Sequence, residues 1–575
     1  MAKVEVGSTQ WNFVVYLEMA IHILSYGVGA GVGVFAILSL VPFGPLGETI
    51  LTAVLVSIFA GIFGGSRAFA RNIKADAAKE EAAKAVQKAL EQEERNRPLT
   101  VEEKTARRET FTGIKLGYST GKFLNERGHS GGIPADQEVS LSAEDCAKNM
   151  ITFGGIGSGK TTRFINPVLM QIMEQDAGAL IFDIKTDFQQ EVAAITKHAG
   201  RTYKIVGDGG MTLNLFRGLT PELAASFMKS CFLAQGTGDT AMWADLATEH
   251  CRHCLTLMKL TEADYSIANL YDVASSDSIR NELIAKVEAA FSDMSERDQR
   301  LTKATMRYFS DWMTYDSKQR SSIMLNINAV LPPFSHPDLI DAFSSESEHG
   351  EADLTELIND GAVYLVNIPQ TKYGKEGARY AYLLTKLRFF HMMRERRGKA
   401  DWNQTRPVAF ICDEYQSIID SISDTDFWDK SRSSKTIGIV SMQGMASLIQ
   451  ALQNNEKAAE AILQNFRQRM FFRTEDEATL RHIQHLLGQV DVTLESTGAG
   501  YNSSESVSTP NGAGGQGSKS TSESYSENTG ASLTRQDLFG PNDMRALTAD
   551  YALFIGNMGD RAADDVLNVQ PLYVN

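Results

Sequence analysis

Cysteine is scarce in this chain: five among 575 residues, at Cys146, Cys231, Cys251, Cys254 and Cys412. Positions so few and so irregular exclude a disulfide framework and suit a reducing compartment. A positive excess is missing too. Lys and Arg total 56 against 71 Asp and Glu, a net charge of −15, so bulk charge cannot recruit a nucleic acid and any such partner needs a local basic surface. Hydrophobic residues at 43% and charged residues at 22% exclude a wholly disordered or fibrous chain. No internal repeat is visible. The length exceeds what one compact domain usually holds, so several structural units are expected. A second metal-binding cluster is also absent. The run His250, Cys251, Arg252, His253, Cys254 suggests a metal or haem site, but Leu255 follows where haem attachment needs His, and nothing completes a tetrahedral shell. Buried thiols without a structural metal are the expectation.

Two long apolar stretches stand at the front. Residues 21–41 (IHILSYGVGAGVGVFAILSLV) and 49–65 (TILTAVLVSIFAGIFGG) carry no Asp, Glu, Lys or Arg, and predict a two-helix transmembrane hairpin over 1–71. Arg67, Arg71 and Lys74 follow the second stretch, whereas the connecting turn carries only Glu48, which places both chain ends on the cytoplasmic side. Residues 72–111 are rich in Ala, Glu, Lys and Arg and predict a solvated helical stalk.

From residue 112 strands and helices alternate, the pattern of an α/β fold with a mainly parallel sheet covered on both faces. Strands are predicted at 149–155, 178–183, 202–207, 362–368, 407–413, 436–442, 469–474 and 551–557. The alternation stops over 222–322, where helical periodicity without strands predicts an all-helical insertion. The nucleotide-binding part is thereby split into 112–221 and 323–575. Residues 496–530 hold 24 Ser, Thr, Gly or Asn among 35 positions, and predict a disordered loop because they bury too little apolar surface to offset the entropy of ordering.

The strongest signal is Gly154, Gly155, Ile156, Gly157, Ser158, Gly159, Lys160, Thr161, which satisfies G-x-x-x-x-G-K-[ST] between an apolar strand and a helix. Such a loop wraps a triphosphate with backbone N–H groups and a helix N-terminus, extending here to Thr162. Lys160 is suited to the β- and γ-oxygens and Thr161 to Mg²⁺, so ATP and Mg²⁺ are the expected cofactors. A metal-holding carboxylate and a base for water are supplied by Asp413 and Glu414, at the end of VAFICDEYQ. Asp183 and Lys185, in IFDIKTD, end a strand on the same sheet edge. A polar role beside the nucleotide and, for Asp183, capping of the next helix both fit. Gln443 is placed to orient water or sense the γ-phosphate, and Arg432 is a candidate arginine finger.

Residues 371–399 carry nine Lys or Arg against Glu376 and Glu395, with Tyr373, Tyr380, Tyr382, Phe389 and Phe390 interleaved. That composition fits a single-stranded DNA track, and equally a helix with a basic solvent face and an aromatic core face.

The order GGIGSGKTT, FDIKTD, a helical insertion, FICDEY, then Arg432 and MQG resembles the type IV coupling proteins, ATPases of bacterial conjugation and type IV secretion. MWADLATEHC in the helical region and LTRQDLFGPNDMRAL near the end extend the likeness over nearly the whole chain. The resemblance implies a RecA-like core, a hexameric homo-oligomer, location in the bacterial inner membrane, and ATP-driven transfer of single-stranded DNA with its bound relaxase into a secretion channel. It makes Lys160 and Thr161 nucleotide and Mg²⁺ ligands, Asp413 and Glu414 metal carboxylate and base, Arg432 a finger offered to the neighbouring subunit, and Gln443 the γ-phosphate sensor. Two departures stand out: family members write Pro and Gly in the motif that is DIKTD here, and this chain lacks the long acidic tail of some members. A protein-only secretion ATPase and a nucleotide-gated cargo receptor without pumping are the alternatives.

Overall fold

The computed structural model describes residues 110–234, 240–344, 349–508 and 518–574. Its centre is an eleven-stranded sheet. In chain order its strands are β1 (Gly113–Ser119), β2 (Glu138–Ser142), β3 (Met150–Phe153), β4 (Gly178–Asp183), β5 (Lys204–Gly207), β6 (Val363–Asn367), β7 (Val408–Cys412), β8 (Thr436–Met442) and β9 (Gln468–Phe471). Two more strands of this sheet, β12 (Tyr551–Met558) and β13 (Arg561–Asn568), follow a separate hairpin of β10 (Gln489–Ser508) and β11 (Ser518–Asp537). The order across the sheet is β2-β1-β13-β12-β9-β3-β8-β7-β4-β6-β5.

Neighbours from β9 to β5 run parallel, and the other four strands extend the sheet antiparallel. Burial explains the division. Every residue of β4, β7 and β8 is buried, as a parallel sheet covered on both faces requires, whereas β2 alternates buried and exposed as an edge strand does. β13 escapes prediction because its sequence, RAADDVLN, holds two acids. Both are buried and partnered: Asp565 accepts the Gly121 N–H at 2.6 Å, and Asp564 meets His129 Nε2 at 3.1 Å.

The described elements between Pro221 and Phe343 are all helical, continuing past residue 322. Thr220, Ser266, Ser276, Ser295 and Asp316 each accept a backbone N–H at the start of a helix, so polar side chains punctuate the run. Within it the helix Thr240–Leu260 carries the histidine and cysteine run inward. His250 Nε2 meets the Ala274 carbonyl oxygen at 3.2 Å, the His253 ring stacks on Tyr308 at 4.2 Å, and Cys251 and Cys254 are buried free thiols. Burial, helped by the nearby Arg280 charge, pushes the His250 pKa down to about 3; burial and Arg252 push that of His253 down to about 4. The unfolded chain therefore takes up protons that the folded chain refuses. Stability is full above pH 6.5 and is lost as pH falls towards those values, by about 2 kcal/mol for each histidine at pH 5. Thermal midpoints at pH 7 and pH 5 check this: a fall at pH 5 that His250→Gln reduces is the expected result.

Two expectations are corrected. Composition predicts disorder over 496–530; the structure pairs β10 with β11 from Gln489↔Asp537 to Ser508↔Ser518, and residues 509–517 lie outside the described residues. The pairing is carried by backbone N–H and C=O groups, which every residue of the segment supplies whatever its side chain. Tyr501, Val507, Tyr525 and Leu533 remain exposed, as the composition requires. The inner-membrane localisation is overturned as well, because no helix among the described residues is long and apolar enough to cross a membrane. Thr240–Leu260 and Lys375–Glu395 have 21 residues each, enough in length, but both interleave charged residues with apolar ones. The apolar segments 21–41 and 49–65 lie outside the described residues.

Candidate nucleotide site

Parallel strands deliver their carboxyl ends to one edge, and the candidate residues leave adjacent strands there. The phosphate loop follows β3, Gln443 follows β8, Asp413 and Glu414 follow β7, and Asp183 ends β4. Thus 253 positions of sequence between Lys160 and Asp413 shrink to two strands with only β8 between them. The loop itself is anchored at its root, where the Gly154 N–H donates to the Met442 carbonyl at 3.3 Å and the Gly155 N–H to the Arg473 carbonyl at 3.1 Å. A Cβ on Gly154 would stand 2.5 Å from Ser158 Oγ and 2.8 Å from Phe472 Cβ, so only glycine fits. Gly157 and Gly159, at φ 71° and 93°, make the left-handed turns that a side chain resists. Ile156 stands out at the tip, 93% exposed. A helix from Thr161 to Glu174 follows, its first turn wound wide over Thr161–Ile165.

Lys160 is buried, and its Nζ donates to the Gly154 and Gly155 carbonyls at 2.6 and 3.2 Å. Burial pushes its pKa down while the charges of Asp413 and Glu414 push it up, so loop and acids share one electrostatic neighbourhood. Ser158 Oγ is buried without a partner, and the Thr162 hydroxyl donates to the Gly159 carbonyl at 3.4 Å. A wrapped glycine loop with a buried lysine, a free hydroxyl, a helix start and two acids opposite fits a nucleoside triphosphate with Mg²⁺.

The acids are joined by Lys185. Its Nζ lies 2.6 Å from Glu414 Oε1 and 3.4 Å from Asp413 Oδ2. Glu414 Oε2 accepts from Gln443 Nε2 at 3.2 Å and from Gln416 Nε2. Glu414 also sits at φ 58°, ψ 44°, a left-handed backbone that costs a glutamate ~1 to 3 kcal/mol and is held only by its surroundings. Asp183 is spent differently: its carboxylate accepts the backbone N–H groups of Asp187 and Phe188 at 3.2 Å, capping the turn into the helix Gln189–His198. Of the two residues in IFDIKTD, then, Lys185 reaches the acids and Asp183 holds the loop. Gln416 had no sequence signal beyond its place two residues after Glu414.

Arg432 is not brought to this edge. It lies in the turn Ser431–Ser434 before β8, at the sheet's amino edge, exposed and paired with Glu144. The seven residues of β8 separate it from Gln443, ~20 Å of strand.

The basic stretch divides between core and surface, with Lys375, Arg397 and Lys399 exposed. Lys386 and Arg396 are buried, the latter donating to the carbonyls of Asn403, Ser434 and Arg406. Lys372 pairs with Asp208 and Asp338, and Arg394 with Asp426. Tyr380, Tyr382, Phe389 and Phe390 are core residues. The stretch is a strut with an aromatic core face, and its rings are not available for stacking bases.

Residues 407–548 match the family model described as the TraM recognition site of TraD and TraG. No curated protein matches the chain. Among solved structures, the bacterial conjugative coupling protein TrwB in its sulphate complex aligns with a TM-score of 0.53 at 14% identity, covering 82% of this chain and 93% of that one. The plasmid coupling protein TrwB with ADP and Mg²⁺ aligns with a TM-score of 0.52 at 14% identity, over 83% and 95% of the two chains. These structures share the α/β fold with its large parallel sheet. The matched segment spans β7 to the last described helix, Pro541–Ala546, and so includes Asp413, Glu414 and Gln443. Residues 407–548 are thus similar to the TraD and TraG family, and the chain shares the fold of these coupling-protein structures.

Proposed function

We propose that the chain binds ATP with Mg²⁺ at the 154–162 loop and hydrolyses it to drive single-stranded DNA, with its bound relaxase, into a type IV secretion channel. One observation carries the reading: a buried Lys160 in the glycine loop lies at the same sheet edge, with only β8 between, as an acidic pair whose charges it feels and whose Glu414 is held in a strained backbone. The likeness to structures of TrwB with ADP and Mg²⁺ supports the same chemistry. Lys160 holds the β- and γ-oxygens, Thr161 and Asp413 hold Mg²⁺, Glu414 takes the proton of the attacking water, and Gln443 reports the γ-phosphate. Lys185 keeps the two acids from repelling each other. Arg432 at the opposite edge serves only a neighbouring subunit, which calls for a homo-oligomer, a hexamer by resemblance. The match of 407–548 to a TraM recognition site supports a relaxosome protein and secretion-channel components as partners.

Burial of Tyr380, Tyr382, Phe389 and Phe390 favours a second reading, a nucleotide-gated cargo receptor, because it takes those rings away from base stacking along the one DNA track visible in the sequence. Nucleotide turnover with and without single-stranded DNA tests the proposal. Turnover that rises when single-stranded DNA is added is the expected result; turnover indifferent to DNA supports the receptor, and none at all removes the pump.

A further inference from the structure

The loop carrying Asp413 and Glu414 stands on a buried ion pair that the nucleotide chemistry does not use. Lys386, on the helix Lys375–Glu395, and Asp424, on the helix Ser421–Lys430, are fully buried and meet at 2.6 Å. The Asp424 carboxylate also accepts the Asp420 N–H at 2.6 Å, the Tyr415 hydroxyl, and Trp428 Nε1 at 3.3 Å. Lys386 Nζ donates in addition to the Ile418 carbonyl at 2.5 Å. Residues 415, 418 and 420 are thus tied to one point by directional bonds. Tyr415 is the immediate neighbour of Glu414, the residue at φ 58°.

Stability does not account for this arrangement, because a buried ion pair is commonly no better than well-packed apolar side chains of the same volume. Fixed geometry does. A glutamate relaxes out of the left-handed region unless its flanks forbid it, and here the C-terminal flank is bolted to two helices. We propose that Lys386 and Asp424 are positioning residues, which hold the turn at 414–420 through Tyr415, Ile418 and Asp420 and so aim the Glu414 carboxylate at the phosphate edge. Neither touches nucleotide. The inference rests on the hydrolytic reading of the site.

The test is the double substitution Lys386→Met/Asp424→Leu in the full chain, which replaces both charges with apolar side chains, Met close to Lys in volume and Leu larger than Asp. Its thermal midpoint should fall, because the Asp420 N–H, the Tyr415 hydroxyl and the Ile418 carbonyl lose a buried partner, while the fold is kept and a fluorescent ATP analogue binds within about twofold. The turnover number should fall ~10- to 100-fold with KM unchanged, the signature of a mispositioned catalytic group. Amide hydrogen exchange over 414–420 should quicken. A double variant that folds and retains both full turnover and slow exchange at 414–420 overturns the positioning role. Should the double variant fail to fold, Tyr415→Phe removes one bond between loop and pair, and a turnover number lowered ~3- to 10-fold at constant KM is expected; no change overturns the proposal. If the unsubstituted chain hydrolyses nothing, the hydrolytic reading falls by itself. Exchange at 414–420 then still decides whether the pair holds the turn.

Discussion

Lys160→Ala should abolish ATP hydrolysis and DNA transfer while the protein stays folded. The lysine is the one cation inside the glycine loop, and its Nζ already lies within hydrogen-bond reach of the Gly154 and Gly155 carbonyls. A triphosphate entering the loop offers it charged oxygens in place of those carbonyls. Removing it takes away the fixed charge that meets negative charge developing on the transferred phosphoryl group, a loss of at least ~10² in turnover. Folding should hardly notice. Burial disfavours the ammonium, so deleting it relieves a desolvation penalty of the same order as the two hydrogen bonds lost, leaving a net change of about 1 kcal/mol or less. Turnover and a thermal melt on the same preparation check both halves. A variant with full turnover removes the mechanism; one that fails to fold assigns Lys160 to structure.

Glu414→Gln should separate hydrolysis from binding. The substitution keeps the shape but replaces an acceptor-only carboxylate, now receiving Lys185, Gln416 and Gln443, with an amide that has a single acceptor oxygen. One donor of the three then faces an NH₂ group, and the base for water is gone. Hydrolysis should fall ~10² to 10⁴-fold, with binding of a fluorescent ATP analogue retained because Lys160 and the loop are intact. The same variant distinguishes a pump from a receptor. A pump that cannot hydrolyse delivers no DNA, whereas a gated receptor still hands over its cargo.

The central parallel strands were legible because they are short runs of apolar residues buried on both faces; β4, β7 and β8 can be read directly as GALIFD, VAFIC and TIGIVSM. The site was legible for a related reason. Phosphate binding needs glycines at fixed spacing, and acids that follow an apolar strand emerge at its carboxyl end. β13 was not, since its acids mask a buried strand whose polar groups are satisfied by backbone N–H groups from elsewhere in the chain. The stretch 371–399 left two readings open, because a lysine reads the same in sequence whether it faces solvent or, as Lys386 does, a buried aspartate.

The order of apolar runs, glycines and acids along the chain determined by itself that there is a parallel sheet with a phosphate loop and an acidic pair at its carboxyl edge. These are local rules of backbone geometry and burial, and they act within a few residues. Only the tertiary structure decided that Lys185 bridges the acids while Asp183 caps a helix, that Arg432 lies at the far edge, and that Glu414 is strained above a buried ion pair. The partner of a charge is fixed by which strands and helices become neighbours, and that follows from packing the whole core.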